Sequence, residues 1–288
     1  MRSPDAPYVA FAITHNPETR HTHLALIMRS GIVNVYENEE AENVDSWTEM
    51  DSFKVCEKPA RGDETSFKLM FDPNLEPCYN ALRQGVPRDS LALVVASMNK
   101  AAVWRTKLVE HGNTLGSSSM KEFYLAAELK GHKALVRDVA WAPGNIRGFD
   151  IIATACKDGV VRVFEVRTPP SDGRELRSKD YTRIPDPVIV RTQKGQNGSV
   201  SAPSGIGAEI ASAKGGARRE NREGEVMHTT KEVGQLESNR TPMWKVDFDS
   251  DGLLLGSTGD DGKLLIWRRR PDGVWCKSSE LAMARQAM

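Results

Sequence analysis

The sequence has no long apolar run. No stretch approaches the roughly 18 apolar residues of a membrane-spanning helix. The opening Met1-Arg2-Ser3-Pro4-Asp5 lacks the apolar core of a secretion signal. These absences lead us to expect a soluble intracellular chain without membrane insertion. Neither sign of charge is in excess, because Lys plus Arg and Asp plus Glu each number 39. A chain of zero net charge has no global attraction for nucleic acid or an anionic bilayer, so direct nucleic-acid binding is not expected. The tracts Arg218-Arg219 and Arg268-Arg269-Arg270 are short and read as solvated strand ends or loops. Asn197-Gly198-Ser199 fits a glycosylation sequon, which is idle without secretion.

Cysteine is scarce. Cys56, Cys78, Cys156 and Cys276 include no C-x-x-C pair and no histidine at zinc-ligand spacing, so we expect free thiols in a reducing compartment. No G-x-S-x-G elbow, phosphate loop or H-E-x-x-H occurs. Asp260-Asp261-Gly262 lacks the further ligands of a calcium loop and reads as a hairpin turn. His21-Thr22-His23 reads as a loop, able to hold a metal only with partners from elsewhere. No cofactor, metal or catalytic residue is expected.

What the sequence does contain is a repeat. In its clearest copy, Gly131-His132 precedes the strand Leu135 to Trp141, which Ala142-Pro143-Gly144 stops. Ile151 to Cys156, the turn Lys157-Asp158-Gly159 and Val160 to Glu165 follow. Asp-Gly between two apolar runs is a strong hairpin signal, because the turn requires positive φ. A second copy runs from Met243 to Phe248, through Leu253 to Thr258, to Lys263-Leu264-Leu265-Ile266-Trp267. Weaker copies begin at Tyr8 and Phe67, and a further strand is expected after each aromatic terminus.

These runs make four four-stranded units, at about 7–60, 64–130, 133–167 plus 225–237, and 241–282. One such sheet cannot bury both faces alone, whereas radial stacking covers them. The Gly-His start and aromatic-acidic end are the WD-repeat signature, so the fold expected is an all-β WD40 propeller forming a single domain over 1–288. Residues 168–224 break the pattern. They are rich in Pro, Gly and charge and poor in apolar residues, and read as a disordered insertion between the last two strands of the third unit. Within it, Ile184 to Val190 could form a short strand or docking peptide. Glu110 to Lys121 reads as a further surface loop.

His132, Thr154 and Asp158 occupy positions that in WD repeats form a buried hydrogen-bond network with a terminal tryptophan. Here Phe164 replaces that tryptophan and its indole donor. Ser257, Asp261 and Trp267 keep three of the four positions in the last unit, without a preceding Gly-His. We read all six as structural.

The stretches Gly131 to Pro143, Ile152 to Gly159, Tyr36 to Glu40 continuing to Asp45-Ser46-Trp47-Thr48, and Ser257 to Leu264 resemble the fungal Seh-one nucleoporin family, relatives of the Sec-thirteen coat protein of secretory vesicles. The resemblance covers nearly the whole chain except the insertion. It implies an open six-bladed propeller and a non-catalytic scaffold of the nuclear pore Y-complex, supporting nucleocytoplasmic transport at the nuclear envelope. It further implies that an α-solenoid nucleoporin inserts a blade in trans. A second role is implied in a vacuole-membrane coat complex that regulates TOR signalling. Relative to that family about two upstream blades are absent, some 80 to 90 residues at roughly 40–45 per blade. The four blades are therefore expected to form an open arc with exposed edges, and the isolated product to be poorly soluble or oligomeric. The alternative functions are a peptide- or phosphopeptide-recognition WD40 adaptor, which needs arginines clustered at one rim, and a propeller enzyme, which needs converging acids or metal ligands.

Overall fold

The computed structural model describes residues 6–40, 42–43, 45–113, 116–144, 147–170, 224–237 and 241–282, all belonging to one compact unit. The expected insertion lies, over 171–223, outside the described residues, as do Ile184 to Val190.

Four antiparallel sheets follow one another along the chain. The first contains β1 (Tyr8–His15), β2 (Thr22–Met28), β3 (Ile32–Asn38) and β4 (Thr48–Lys54). The second contains β5 (Phe67–Phe71), β6 (Ala92–Ser97), β7 (Lys100–Asn113) and β8 (Gly116–Leu129), with a short helix α1 (Tyr79–Arg83) between β5 and β6. The third is built of β9 (Val136–Trp141), β10 (Asp150–Cys156), β11 (Val160–Arg167) and β12 (Thr229–Glu237). The fourth is built of β13 (Met243–Phe248), β14 (Leu254–Gly259), β15 (Lys263–Arg269) and β16 (Trp275–Ala282). In each sheet, strands adjacent in sequence are paired. β1 lies against β5, β5 against β9, and β9 against β13. These first strands line a shared central cavity of about 440 Å³ that includes Phe11, Met70, Asp138 and Lys245. This is the radial arrangement of a propeller, and the all-β expectation holds.

Burial follows from the stacking. The second strands β6 and β10 are buried at every position, as expected for strands with a sheet on either face. Three apolar layers lie between the blades. Ala25, Ile27, Val33 and Val35 meet Phe67, Leu69 and Phe71 between the first and second. Val94 and Val103 meet Trp141 and Ile152 between the second and third. Ala153 and Val163 meet Leu255, Leu265 and Trp267 between the third and fourth. The two Asp-Gly turns close with Gly159 at φ 86° and Gly262 at φ 68°, a region that a Cβ disfavours.

Two expectations are corrected. Glu110 to Lys121 is not a loop: β7 and β8 run out to Asn113 and Gly116 as a long hairpin, with Glu110 opposite Ser119. Polar side chains are compatible with a strand whose backbone groups are already paired across the ladder. His21-Thr22-His23 does not lie wholly in a loop, since Thr22 and His23 open β2 and His23 is buried. Helix α1 had no counterpart in the sequence reading, because five residues are too few to show a 3.6-residue period.

Candidate functional site

The polar residues singled out from the repeat lie inside the blades. His132 Nε2 is 2.9 Å from Thr154 Oγ1 on β10, and Thr154 is fully buried. The His132 ring packs 5.9 Å from the Phe164 ring. Burial first, and then the Arg162 charge, lower the His132 pKa to about 4, so the ring is neutral at physiological pH. Asp158 ties its own turn to the segment before β9, accepting from Val160 N at 3.1 Å and Lys133 N at 3.1 Å. The Arg162 guanidinium grips its two carboxylate oxygens at 3.1 and 2.9 Å. In the fourth blade the Trp267 indole N–H donates to Ser257 Oγ at 2.8 Å, and Asp261 accepts from Lys263 N at 3.1 Å. Thus the structure joins His132 to Thr154 and Trp267 to Ser257, while each aspartate pins its own hairpin.

Sequence reasoning missed the polar ties between blades. Asp51 Oδ2 accepts from Phe123 N at 2.6 Å, joining the first two blades. Ser66 Oγ donates to the Val136 carbonyl at 2.6 Å, joining the second and third. Asp138 Oδ2 accepts from Val246 N at 3.1 Å and Lys245 Nζ at 3.2 Å, joining the third and fourth. The deepest tie is Arg105 on β7 with Asp150 on β10, 2.9 Å apart, their side chains 0% and 1% exposed. Asp150 is the lone charge on an otherwise largely apolar strand, a sequence signal that could have marked it.

Glu37 on β3 accepts from His21 Nδ1 at 2.8 Å and His23 Nε2 at 3.0 Å. The His23 hydrogen bond, the largest cause, holds its pKa down to about 2. This cluster supplies the partner from elsewhere that the two histidines needed. Among the described residues, however, no group of three His, Cys, Asp or Glu is placed to hold a metal ion. No helix among them is long and apolar enough to cross a membrane.

What remains open is apolar surface at the two ends of the blade series. On β1, Val9, Phe11 and Ile13 alternate outward, with Phe11 68% and Ile13 59% exposed. Phe11 pairs with Leu26, and Ile13 with Leu24, extending the strip onto β2. On the fourth blade, Leu264 pairs with Leu281 on the side opposite the buried Leu265, and Leu281 is 61% exposed. Alternation with period two requires this, since one face of each terminal sheet already fills an inter-blade layer.

A model of the WD domain, G-beta repeat matches residues 123–165 and 230–268. Those segments cover the third blade and most of the fourth. A nucleoporin SEH1 from Chaetomium thermophilum is 41% identical over 100% of this chain and 64% of its own length. Nucleoporin seh1 of Schizosaccharomyces pombe is 24% identical over 92% of this chain and 62% of its own. Nucleoporin SEH1 of Saccharomyces cerevisiae is 25% identical over 90% of this chain and 63% of its own. The chain therefore spans a little under two thirds of the length of these relatives. With its repeat match and four radial blades, this chain is a WD-repeat β-propeller, and over its full length it is similar to the Seh1 nucleoporins.

Proposed function

We propose that the chain is a non-catalytic scaffold subunit of the nuclear pore outer-ring Y-complex, held there by an α-solenoid nucleoporin that covers one of its open blade faces in trans. The observation that carries this reading is the exposed apolar strip at each end of the blade series, led by Phe11 and Ile13 at one end and Leu281 at the other. Covering such a strip with a partner sheet removes apolar area from water at about 25 cal/mol per Å², and a strand laid along an open edge adds backbone hydrogen bonds. The family likeness supports a place at the nuclear envelope. By the same likeness we propose a second role in a vacuole-membrane coat complex that regulates TOR signalling, using the same faces.

The test is co-purification of the tagged chain with Y-complex subunits, using two variants, Phe11→Asp with Ile13→Asp and Leu264→Asp with Leu281→Asp. At least one variant should lose about tenfold or more of the recovered solenoid nucleoporin, since a desolvated charge at an interface costs several kcal/mol. Undiminished recovery by both would refute blade complementation. Absence of any Y-complex subunit from the wild-type sample would refute the assignment to that assembly.

We also propose that His132, Thr154, Asp158, Ser257, Asp261 and Trp267 serve stability alone. Trp267→Phe should lower the free energy of unfolding by about 1–3 kcal/mol, because it leaves the Ser257 hydroxyl unpaired in the core and opens a void. Urea unfolding checks this. A variant as stable as wild type would show that the indole–hydroxyl bond contributes nothing.

A further inference from the structure

We propose that a cavity between the third and fourth blades, lined by four arginines, binds a phosphorylated serine or threonine in an extended segment of a partner protein. The cavity has a volume of about 640 Å³, and its walls include Arg147, Phe149, Leu253, Arg268, Arg269 and Arg270. Among the described residues no carboxylate side chain lines it. It forms where the turns β9–β10, β13–β14 and β15–β16 come together, so residues distant in sequence supply one concentration of positive charge. Read along the chain, Arg268-Arg269-Arg270 is a strand end. The fold adds Arg147 and gives the group a concave floor.

The arginines divide into two kinds. Arg269 is structural: it donates to Glu165 Oε1 at 2.7 Å, while Arg167 takes the other oxygen of that carboxylate at 2.6 Å. Both guanidinium groups lie over the Phe149 ring, 5.5 and 4.4 Å from its centroid. The other three are uncommitted. Arg147 reaches only backbone carbonyls, Gly144 O at 3.4 Å and Asp251 O at 3.3 Å. Burial, and next the Arg269 charge, hold its guanidinium below the usual range against the opposing pull of Asp249, so a further anion beside it is favourable. Arg268 and Arg270 are exposed and make no ion pair with any described residue. Guanidinium forks match the oxygens of a phosphate monoester and bind it through two parallel hydrogen bonds.

The surroundings select the source of the phosphate. The Phe149 ring already has two guanidinium groups over it, and it is the one aromatic side chain among the described lining residues, which disfavours a stack of bases and so single-stranded nucleic acid. Asp249, Asp251 and Asp272 sit in the turns that form the mouth. They would repel an extended anionic surface such as a bilayer, whereas a single phosphate reaching past them meets the arginines. Leu253 is 45% exposed beside the cavity and suits an apolar residue next to the phosphorylated one. This site lies apart from the Phe11 strip and uses neither Leu264 nor Leu281, so its test and that of the scaffold reading fail separately.

The experiment is fluorescence anisotropy with a pool of short peptides, fixed at a central phosphoserine or phosphothreonine and degenerate at the flanks, against the unphosphorylated pool. The full chain should bind the phosphorylated pool at least about tenfold more tightly, the scale of a charge-assisted hydrogen bond to a guanidinium. Arg268→Ala and Arg270→Ala should each remove most of that preference, and Arg268→Lys should restore only part, because lysine keeps the charge and loses the fork. Both side chains are exposed, so thermal unfolding should not change. Arg88→Ala, at a distant surface ion pair with Glu76, should bind like wild type. Equal binding of the two pools, or a preference indifferent to Arg268 and Arg270, would overturn the proposal. So would arginine-dependent sedimentation with phosphatidylcholine vesicles carrying a phosphoinositide in the absence of any phosphopeptide preference.

Discussion

Arg105→Ala should lower the free energy of unfolding by about 3–5 kcal/mol, the cost of leaving a buried charge without its partner. Arg105 projects from β7 across the boundary between the second and third blades to Asp150 on β10, with the Trp141 ring 5.9 Å from its guanidinium. Asp72 lies within the field of the same pair. Among the described residues, Arg105 Nε and Nη1 have no hydrogen-bond partner. Nearby, His228 donates or accepts only with Thr168 at 2.8 Å. Burial, and next the Arg105 charge, keep its pKa well below the usual value; without Arg105 the burial remains and still disfavours an imidazolium in place of the lost cation. Alanine would leave a cavity and an uncompensated carboxylate across the main inter-blade layer. The pair is not expected to be a large net stabiliser, because desolvating both ions offsets most of their attraction. Arg105→Met combined with Asp150→Leu should therefore recover most of the loss. Urea unfolding of Arg105→Met, Asp150→Leu and the double variant closes the cycle. A loss below about 1 kcal/mol for Arg105→Ala would mean that water reaches the site and solvates Asp150.

The second large effect is on pH dependence. Asp72, at the end of β5, is held up to about 7, by burial first and then by the Asp150 charge, against the opposing pull of Arg105 and the Asn74 hydrogen bonds. Asp150 is raised as well, chiefly by burial. Two carboxylates thus share one guanidinium, and a proton relieves their repulsion. Its sign is opposite to that of a salt-bridged carboxylate. The folded state keeps a proton on Asp72 that the unfolded chain, with an aspartate pKa of about 3.9, releases. The stabilisation is full below about pH 4 and is lost as pH rises through 7. At 1.36 kcal/mol per pKa unit, we expect a decline of about 2–4 kcal/mol in the wild type between pH 4 and pH 8. Asp72→Asn carries no proton to lose, so its stability should exceed that of wild type at pH 8, and the decline should be missing from its own profile and appear in the difference between the two. The buried His132 acts the other way: its depressed pKa makes stability fall as pH drops from about 6.5 toward 4. Subtracting the variant's profile from that of wild type removes the histidine contribution. Identical profiles would show that Asp72 ionises freely in the fold.

Much of the architecture was legible because it depends on local rules. Strict alternation in Met243 to Phe248, the Asp-Gly turns at 158–159 and 261–262, and the recurrence of strand, turn, strand and aromatic end each follow from the period of two and from the φ that a hairpin demands. Those rules act within a few residues and repeat in every blade, so the sequence by itself determined the strands, their grouping in fours and the WD-repeat class. It also placed Trp267 near Ser257 and His132 near Thr154, since both pairs lie within one blade. Tertiary structure alone decided what happens between blades. The pairs Arg105–Asp150, Asp138–Val246 and Asp51–Phe123 join residues 45 to 108 positions apart, and nothing in either partner's neighbours names the other. The same holds for the histidines at 21 and 23, which gained Glu37 only when β2 and β3 paired, and for Arg147, which the stacking of two blades brought to Arg268 and Arg270. Periodicity specifies which face a side chain takes. Which sheet covers that face, or leaves it open, is settled by radial packing, because only the stacked blades bring the charges and apolar strips of separate strands within reach of one another.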